Sequence, residues 1–136
     1  MNRQAIIDQL KEDEDFKSVA YWDVNGWRYG FGCTAPCEGA TITYGEAEVL
    51  LGKRVDQAIQ EFHEIFADQP MSDVRQGALV NMVFNLGKCG VLKFRKMIAA
   101  AKADNWNKAA DEAKNSLWYK QTGNRAKRIV EEIRKG

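Results

Sequence analysis

Apolar positions in the first dozen residues fall at helical intervals: Ile6, Ile7 and Leu10 are separated by charged and amide side chains. That spacing predicts a short amphipathic helix over residues 3 to about 13. It runs into an acidic cluster, where the negative end of the helix dipole disfavours each carboxylate by a few tenths of a kcal/mol, so a compensating partner is expected. From residue 16 to 42 aromatic and β-branched residues alternate with turn formers, and Asn25-Gly26 signals a two-residue hairpin, which together predict a small antiparallel sheet. Thr43 followed by Glu46 forms a capping box that opens a long helix, with Ala47, Leu51, Val55, Ile59, Phe62 and Phe66 as one apolar stripe. Gly52 inside that helix costs about 1 kcal/mol relative to alanine. Beyond Pro70, Ser72 or Asp73 caps a further helix whose Ala78, Leu79, Met82, Val83 and Leu86 mark it as central and buried, punctuated by Gly87 and Gly90. Further helices are expected over residues 94–102, 106–114 and 124–134, with a short turn at 117–120.

Composition narrows the class without naming it. A chain of 136 residues with 45% hydrophobic and 29% charged residues is that of one globular unit. Its longest uninterrupted apolar run is Met97 to Ala101, far short of the roughly 18 residues of a membrane-crossing helix, so no membrane insertion is expected. The amino terminus lacks the apolar core of a secretory signal, which points to synthesis in the cytoplasm. A formal charge of +1 gives no global attraction for nucleic acid. Cys33, Cys37 and Cys89 are odd in number and form no paired CxxC spacing, so free thiols are expected ahead of a Cys33–Cys37 bridge. His63 has Ala67 at the next helical turn, so no metal site is indicated.

The candidate chemistry lies near the amino terminus. Glu14 closes the first helix and Asp23 stands in the first sheet loop, with eight residues between them. Two carboxyl groups, one protonated to assist a leaving oxygen and one ionised on the opposite face of a sugar, are the requirement of glycoside hydrolysis. Asp23 also suits the first position of a turn, with which that role is compatible. Tyr21, Trp22 and Trp27 are sheet aromatics that either pack or stack on sugar faces. On the central helix alone, Phe84 packs in the core and the asparagines, Asn81 and Asn85, satisfy local backbone groups. Trp118, Tyr119 and Gln121 read as a helix-packing knot.

The stretch DEDFKSVAYWDVNGWRYGFGCT resembles the catalytic segment of phage lysozymes, family twenty-four of the glycoside hydrolases. In that pattern a glutamate is followed after eight residues by an aspartate, a glycine turn, and then Gly-x-Gly-His-Thr. Glu14, Asp23, Gly26, Gly30, Gly32 and Thr34 match it. The blocks TITYGEAEVLL, DVRQGALVNMVFNLGKCGVLKF and SLWYKQTGNRAKRIVEEIRKG resemble the family further along, so the likeness spans the chain. It implies an α+β, mainly α-helical, bilobal lysozyme-like fold in one domain over 1–136. A sheet lobe would occupy about 15–43 and an interlobe helix about 44–66. A helical lobe of about 70–136, with the N-terminal helix, would complete it, and a cleft would run between the lobes.

The resemblance further implies endo-hydrolysis of the β-1,4 bond between N-acetylmuramic acid and N-acetylglucosamine in bacterial peptidoglycan. Glu14 would be the general acid and Asp23 would act on the water or on the oxocarbenium-like transition state. A cleft wall and the neighbouring Glu12, Asp13 and Asp15 would favour the protonated form of Glu14, and Arg125 would pair with it and fix its orientation. Tyr21, Gly32, Thr34, Phe84 and Asn85 would bind substrate, with Phe84 and Asn85 on the cleft floor. No cofactor and no metal are implied, and the partner is the wall polymer, met by a monomer. The basic cluster Arg125, Lys127, Arg128 would attract anionic wall polymers in a salt-sensitive way. The role would be host lysis, the protein reaching the periplasm through a separate pore; a tail-associated, wall-piercing role stands beside it.

Four positions depart from the pattern. Where the family has a threonine after the aspartate, counting gives Tyr29 and anchoring on Gly30-Phe31-Gly32 gives Arg28; tyrosine can hold a water, whereas arginine is a donor only. Asp15 stands for the glycine that follows the glutamate. Cys33 stands for the histidine, and Arg54 for its aspartate partner, so that ion pair is expected to be lost. These departures keep two rivals open: a non-catalytic peptidoglycan-binding or structural homologue, and a lytic transglycosylase, which uses one acid.

Overall fold

A helical pattern, then an alternating one, then helical ones again resolve, in a computed structural model describing residues 1–136, into seven helices and one small sheet. Helix α1 spans Arg3–Glu14. Strands β1 (Lys17–Asp23), β2 (Gly26–Gly30) and β3 (Cys33–Thr34) follow, then α2 (Tyr44–Phe66), α3 (Asp73–Leu92), α4 (Arg95–Lys102), α5 (Trp106–Lys114), α6 (Leu117–Thr122) and α7 (Asn124–Lys135). This is the expected α+β, mainly α-helical class. No helix is long and apolar enough to cross a membrane.

The chain packs as two units. Gln4–Asp56 is one; Met1–Arg3 with Gln57–Gly136 is the other. In the first, the antiparallel strands lie in the order β1-β2-β3, and Val19 bridges to Thr41 outside the named strands. The hairpin loop is Val24-Asn25, with Asp23 paired to Gly26, one position earlier than the Asn25-Gly26 signal suggests. The Asp23 carboxylate accepts the Val24 amide at 2.8 Å, and the positive φ of 148° falls on Gly26 beyond the loop. Local hydrogen bonding by the aspartate has set the turn. β2 ends at Gly30, where an added Cβ would lie 3.1 Å from the Ala47 Cβ, so the missing side chain lets the strand reach α2.

The capping box opening α2 forms as read. Thr43 donates its amide to Glu46 Oε1 at 3.0 Å, and the Glu46 amide donates to Thr43 Oγ1 at 3.1 Å. Ala47, Leu51, Val55, Phe62 and Phe66 of the stripe are buried. α1 from Gln4 onward belongs to the same unit as the sheet, not to the helical lobe in which the family resemblance puts it. Lys11 supplies a reason: its ammonium donates to Glu48 on α2 at 2.7 Å and lies 5.2 Å from the Tyr44 ring centroid. Gln9 is the partner expected for the acidic end of α1, donating to Glu12 and Asp13 at 3.4 and 3.3 Å.

The helical unit is built on α3. Ser72 caps it, accepting the Arg75 amide at 3.2 Å, and residues 78 to 83 are all buried. Gly87 breaks the helical path at φ 76° and ψ 162°, as its place in the pattern suggests. α4 and α5 pack together, and α7 packs on both α3 and α5. Ala100, Ala101, Ala109, Ala110, Ala113 and Ala126 are all buried, small side chains that suit close helix approach. Arg75 closes the far end of α7. Its Nε and Nη2 donate to the carbonyls of Ile133 and Arg134 at 2.9 Å each, and its guanidinium stacks 4.7 Å above the Trp106 ring. Those carbonyls have no partner within their own helix.

Candidate active site

Glu14 is the last residue of α1 and is half-buried. The chain turns sharply after it: Asp15 adopts φ 56°, a left-handed conformation that ordinarily favours glycine. Asp15 tolerates it by accepting the Phe16 amide on its own carboxylate at 3.0 Å, while its amide donates to the Lys11 carbonyl at 3.1 Å. The helix is thereby closed just past Glu14, and β1 can begin at Lys17.

Strand alternation decides which side chains share a face. Tyr21 and Asp23 lie on one face of β1; Trp22 lies on the other, paired with Trp27 at 5.4 Å between ring centroids and 63% exposed. Of the three aromatics, Tyr21 therefore accompanies the aspartate. Burial, and after it the negative charges of Glu14 and Asp23, push the Tyr21 phenol above its ordinary value near 10, with the nearby Arg28 opposing them. The phenol remains a donor across the working pH range, in the field of both carboxylates.

Arg28 stands directly opposite Tyr21, on the face of Asp23. Its Nε lies 3.8 Å from Asp23 Oδ2 and its Nη1 donates to Thr34 Oγ1 at 2.9 Å. Tyr29 pairs with Cys33 and points to the opposite face. Of the two residues counted for the threonine position, Arg28 is the one brought to the aspartate.

Gly32 lies in the turn between β2 and β3 with φ 79°. A Cβ there would sit 2.9 Å from Glu14 Oε2 and 3.9 Å from Arg54 Nη1, so carboxylate and guanidinium both abut this glycine. Arg54 Nη1 donates to the Gly32 carbonyl at 3.2 Å and the Phe31 carbonyl at 3.5 Å, and lies 3.8 Å from Cys33 Sγ. Phe31 is buried against Phe16 and Tyr44, each 5.6 Å away between centroids. All three cysteines are free thiols; Cys33 is buried, Cys37 and Cys89 exposed.

The helical unit holds the remaining candidates. Asn81 and Asn85 lie one turn apart on α3. Asn81, 2% exposed, accepts Arg125 Nε of α7 at 2.9 Å, and Asn85 accepts the Trp118 indole of α6 at 2.8 Å. These asparagines serve partners 44 and 33 residues away, not the local backbone groups expected from the helix alone. Phe84 between them is half-buried. Trp118 is buried edge-on against Phe94 at 6.0 Å, in keeping with a packing role. His63 Nδ1 lies 3.2 Å from the Ala67 carbonyl.

A family model for phage lysozymes matches residues 11–135. The chain belongs to the phage lysozyme family. Among curated relatives, the pre-baseplate central spike protein Gp5 of Enterobacteria phage T4 is 29% identical over 93% of this chain and 27% of its own length. Probable T4-type lysozyme 1 of Dictyostelium discoideum is 33% identical over 70% of this chain and 58% of its own. Peptidoglycan hydrolase gp36 of Pseudomonas phage phiKMV is 28% identical over 92% of this chain, which spans 14% of that protein. The chain thus spans less than two thirds of the length of each of these relatives.

Within this phage lysozyme-family chain the departures acquire physical reasons. Asp15 replaces glycine at a left-handed position and keeps it by a local hydrogen bond. Positions 33 and 54, where the family's histidine–aspartate ion pair is expected to be lost, still meet at 3.8 Å. A thiol and a guanidinium approach each other there, and the guanidinium adds two carbonyl acceptors. No local pattern marks this role of Arg54, whose carbonyl partners lie 23 and 22 residues earlier in the chain.

Proposed function

We propose that the chain hydrolyses the β-1,4 bond between N-acetylmuramic acid and N-acetylglucosamine in peptidoglycan, with Glu14 as general acid and Asp23 as the ionised partner. The observation that carries the reading is Glu14 at the end of α1, packed on Gly32, with Tyr21 in the field of both carboxylates. In the reaction Glu14 gives its proton to the glycosidic oxygen as the bond to the anomeric carbon breaks. Positive charge then develops on the sugar ring. The Asp23 carboxylate stabilises that charge and takes a proton from the water that attacks it. The Arg28 guanidinium lies 3.8 Å from the Asp23 carboxylate and, being a donor only, leaves proton acceptance to it. Tyr21, Gly32, Thr34, Phe84 and Asn85 serve as substrate-binding positions, in the roles the family resemblance gives them. The actor is a monomer without a cofactor.

Clearing of permeabilised Gram-negative cells tests the reading. The parent is expected to clear them and Glu14→Gln is not; equal clearing by both removes Glu14 from the chemistry, and clearing by neither leaves a binding homologue. Mass spectrometry of digested peptidoglycan separates hydrolysis, with reducing ends, from transglycosylation, with anhydro ends. Two sites of action follow from this activity. Host lysis from the periplasm, after synthesis in the host cytoplasm, is the first. A virion-associated, wall-piercing role is favoured by the similarity to a central spike protein over nearly the whole chain. Its presence in purified virions would decide for the second.

A further inference from the structure

The turn between β2 and β3 touches the Glu14 carboxylate without a side chain in between. At Gly32 the site of a Cβ is only 2.9 Å from Glu14 Oε2, so any shift of this backbone is transmitted directly to the carboxylate. The turn is fixed on two accounts. The Phe31 ring is buried against Phe16 and Tyr44, and the carbonyls of Phe31 and Gly32 both point at one nitrogen, Nη1 of Arg54, which also meets Cys33 Sγ. Arg54 comes from the first half of α2, whose buried Leu51 and Val55 flank it in sequence, so the guanidinium is delivered from a rigid element. A planar, pre-organised guanidinium loses little freedom when several acceptors converge on it, which an ammonium does not match.

We propose that Arg54 is a positioning residue for Glu14, holding the Phe31-Gly32-Cys33 turn so that Gly32 sets where the carboxylate lies. The inference rests on Glu14 being the acid of the reaction. Arg54 meets the carbonyls and the thiol of this turn. It acts through the turn, and a displacement of the acid by about 1 Å is enough to cost on the order of 100-fold in rate.

Steady-state turnover of soluble, uncrosslinked peptidoglycan strands tests this, with folding checked by circular dichroism at the assay temperature. Arg54→Ala is expected to lose kcat by about tenfold or more with KM within about twofold, because the turn binds the acid and not the glycan. Added millimolar guanidinium chloride is expected to restore part of kcat, a response that a merely destabilised enzyme does not give. Arg54→Lys, which keeps the charge but not the fork, is expected to fall between the two. If Arg54→Ala does not fold, Arg54→Lys decides: reduced kcat at unchanged KM supports the role, and the parent's kcat overturns it. Glu14→Gln is run alongside. A silent Glu14→Gln with Arg54 variants at full turnover overturns the positioning role alone; a fully active Glu14→Gln overturns the reading beneath it.

Discussion

In the unit Gln4–Asp56 the sheet is thin and wet: six of the seven residues of β1 are exposed, and its charged side chains meet one another at the surface, Arg28 with Asp23 and Lys17 with Asp15. In the helical unit, beside surface ion pairs such as Lys88–Glu64, three polar side chains do the reverse. Asn81, Asn85 and Arg75 each spend their hydrogen bonds on distant helices, around a core of alanines, valines and Met82 with little exposure. The contrast is one of purpose. Side chains that bind other parts of the chain cannot easily serve a reaction, whereas charges held at the surface of a small sheet by one or two contacts are available for it. Stability and chemistry should therefore separate when each unit is mutated.

The largest expected effect is on chemistry. Glu14→Gln keeps the shape and hydrogen-bonding capacity of the side chain but cannot give up a proton. Activity on peptidoglycan is expected to fall by about 100-fold to 10,000-fold, with little change in melting temperature. Met82→Ala in α3 should do the opposite. Met82 is fully buried, and its truncation is expected to cost about 3 kcal/mol, which is roughly 10 °C in Tm for a chain of this size. At a temperature where it remains folded, kcat should stay near that of the parent. If Met82→Ala loses kcat as severely as Glu14→Gln while folded, the separation between the two units fails.

What the sequence made legible divides along the same line. Helix starts and stripes were readable because they depend on neighbours within a few residues: the Thr43–Glu46 box, the Ser72 cap, the buried stripe of α2 and the break at Gly87 all stand where the pattern put them. Glu14 at the end of its helix was readable for the same reason. The hairpin loop was displaced by one residue because an aspartate hydrogen bond, not the Asn-Gly pair, set it. The choice between Arg28 and Tyr29 required strand register, which a sequence does not print. The partners of Asn81, Asn85, Arg75 and Arg54 lie between 21 and 59 residues away and left no local trace.

A smaller effect sharpens the comparison at its border. Asp15 holds a left-handed conformation just after Glu14, at a cost of about 1 kcal/mol, and adds a carboxylate to the negative end of α1. Asp15→Gly removes both penalties, but glycine loses more freedom on folding and the bond to the Phe16 amide disappears. The net gain is expected to be roughly 0.5 kcal/mol, read as a small rise in the denaturant midpoint. A loss of stability would mean that the aspartate's local bond outweighs the strain of its backbone.

The smallest effect is one of pH, at the entry to α2. The Glu46 carboxyl accepts the Thr43 amide, and this bond, followed by the Thr43 hydroxyl beside the carboxyl, holds its pKa below the ordinary 4.5. A lowered folded value means that the ionised form is favoured in the native state. Its contribution is thus complete above the unfolded value and fades as pH falls through the folded one. Glu46→Gln retains an acceptor but not the charge at a helix N-terminus, so it should be slightly less stable than the parent at neutral pH. That difference should narrow below pH 4.5 and close once the parent carboxyl is protonated in the native state too. Urea midpoints of the two proteins across this interval provide the check. A gap that persists at the acid end would show that the glutamine geometry, and not the lost charge, weakens the cap.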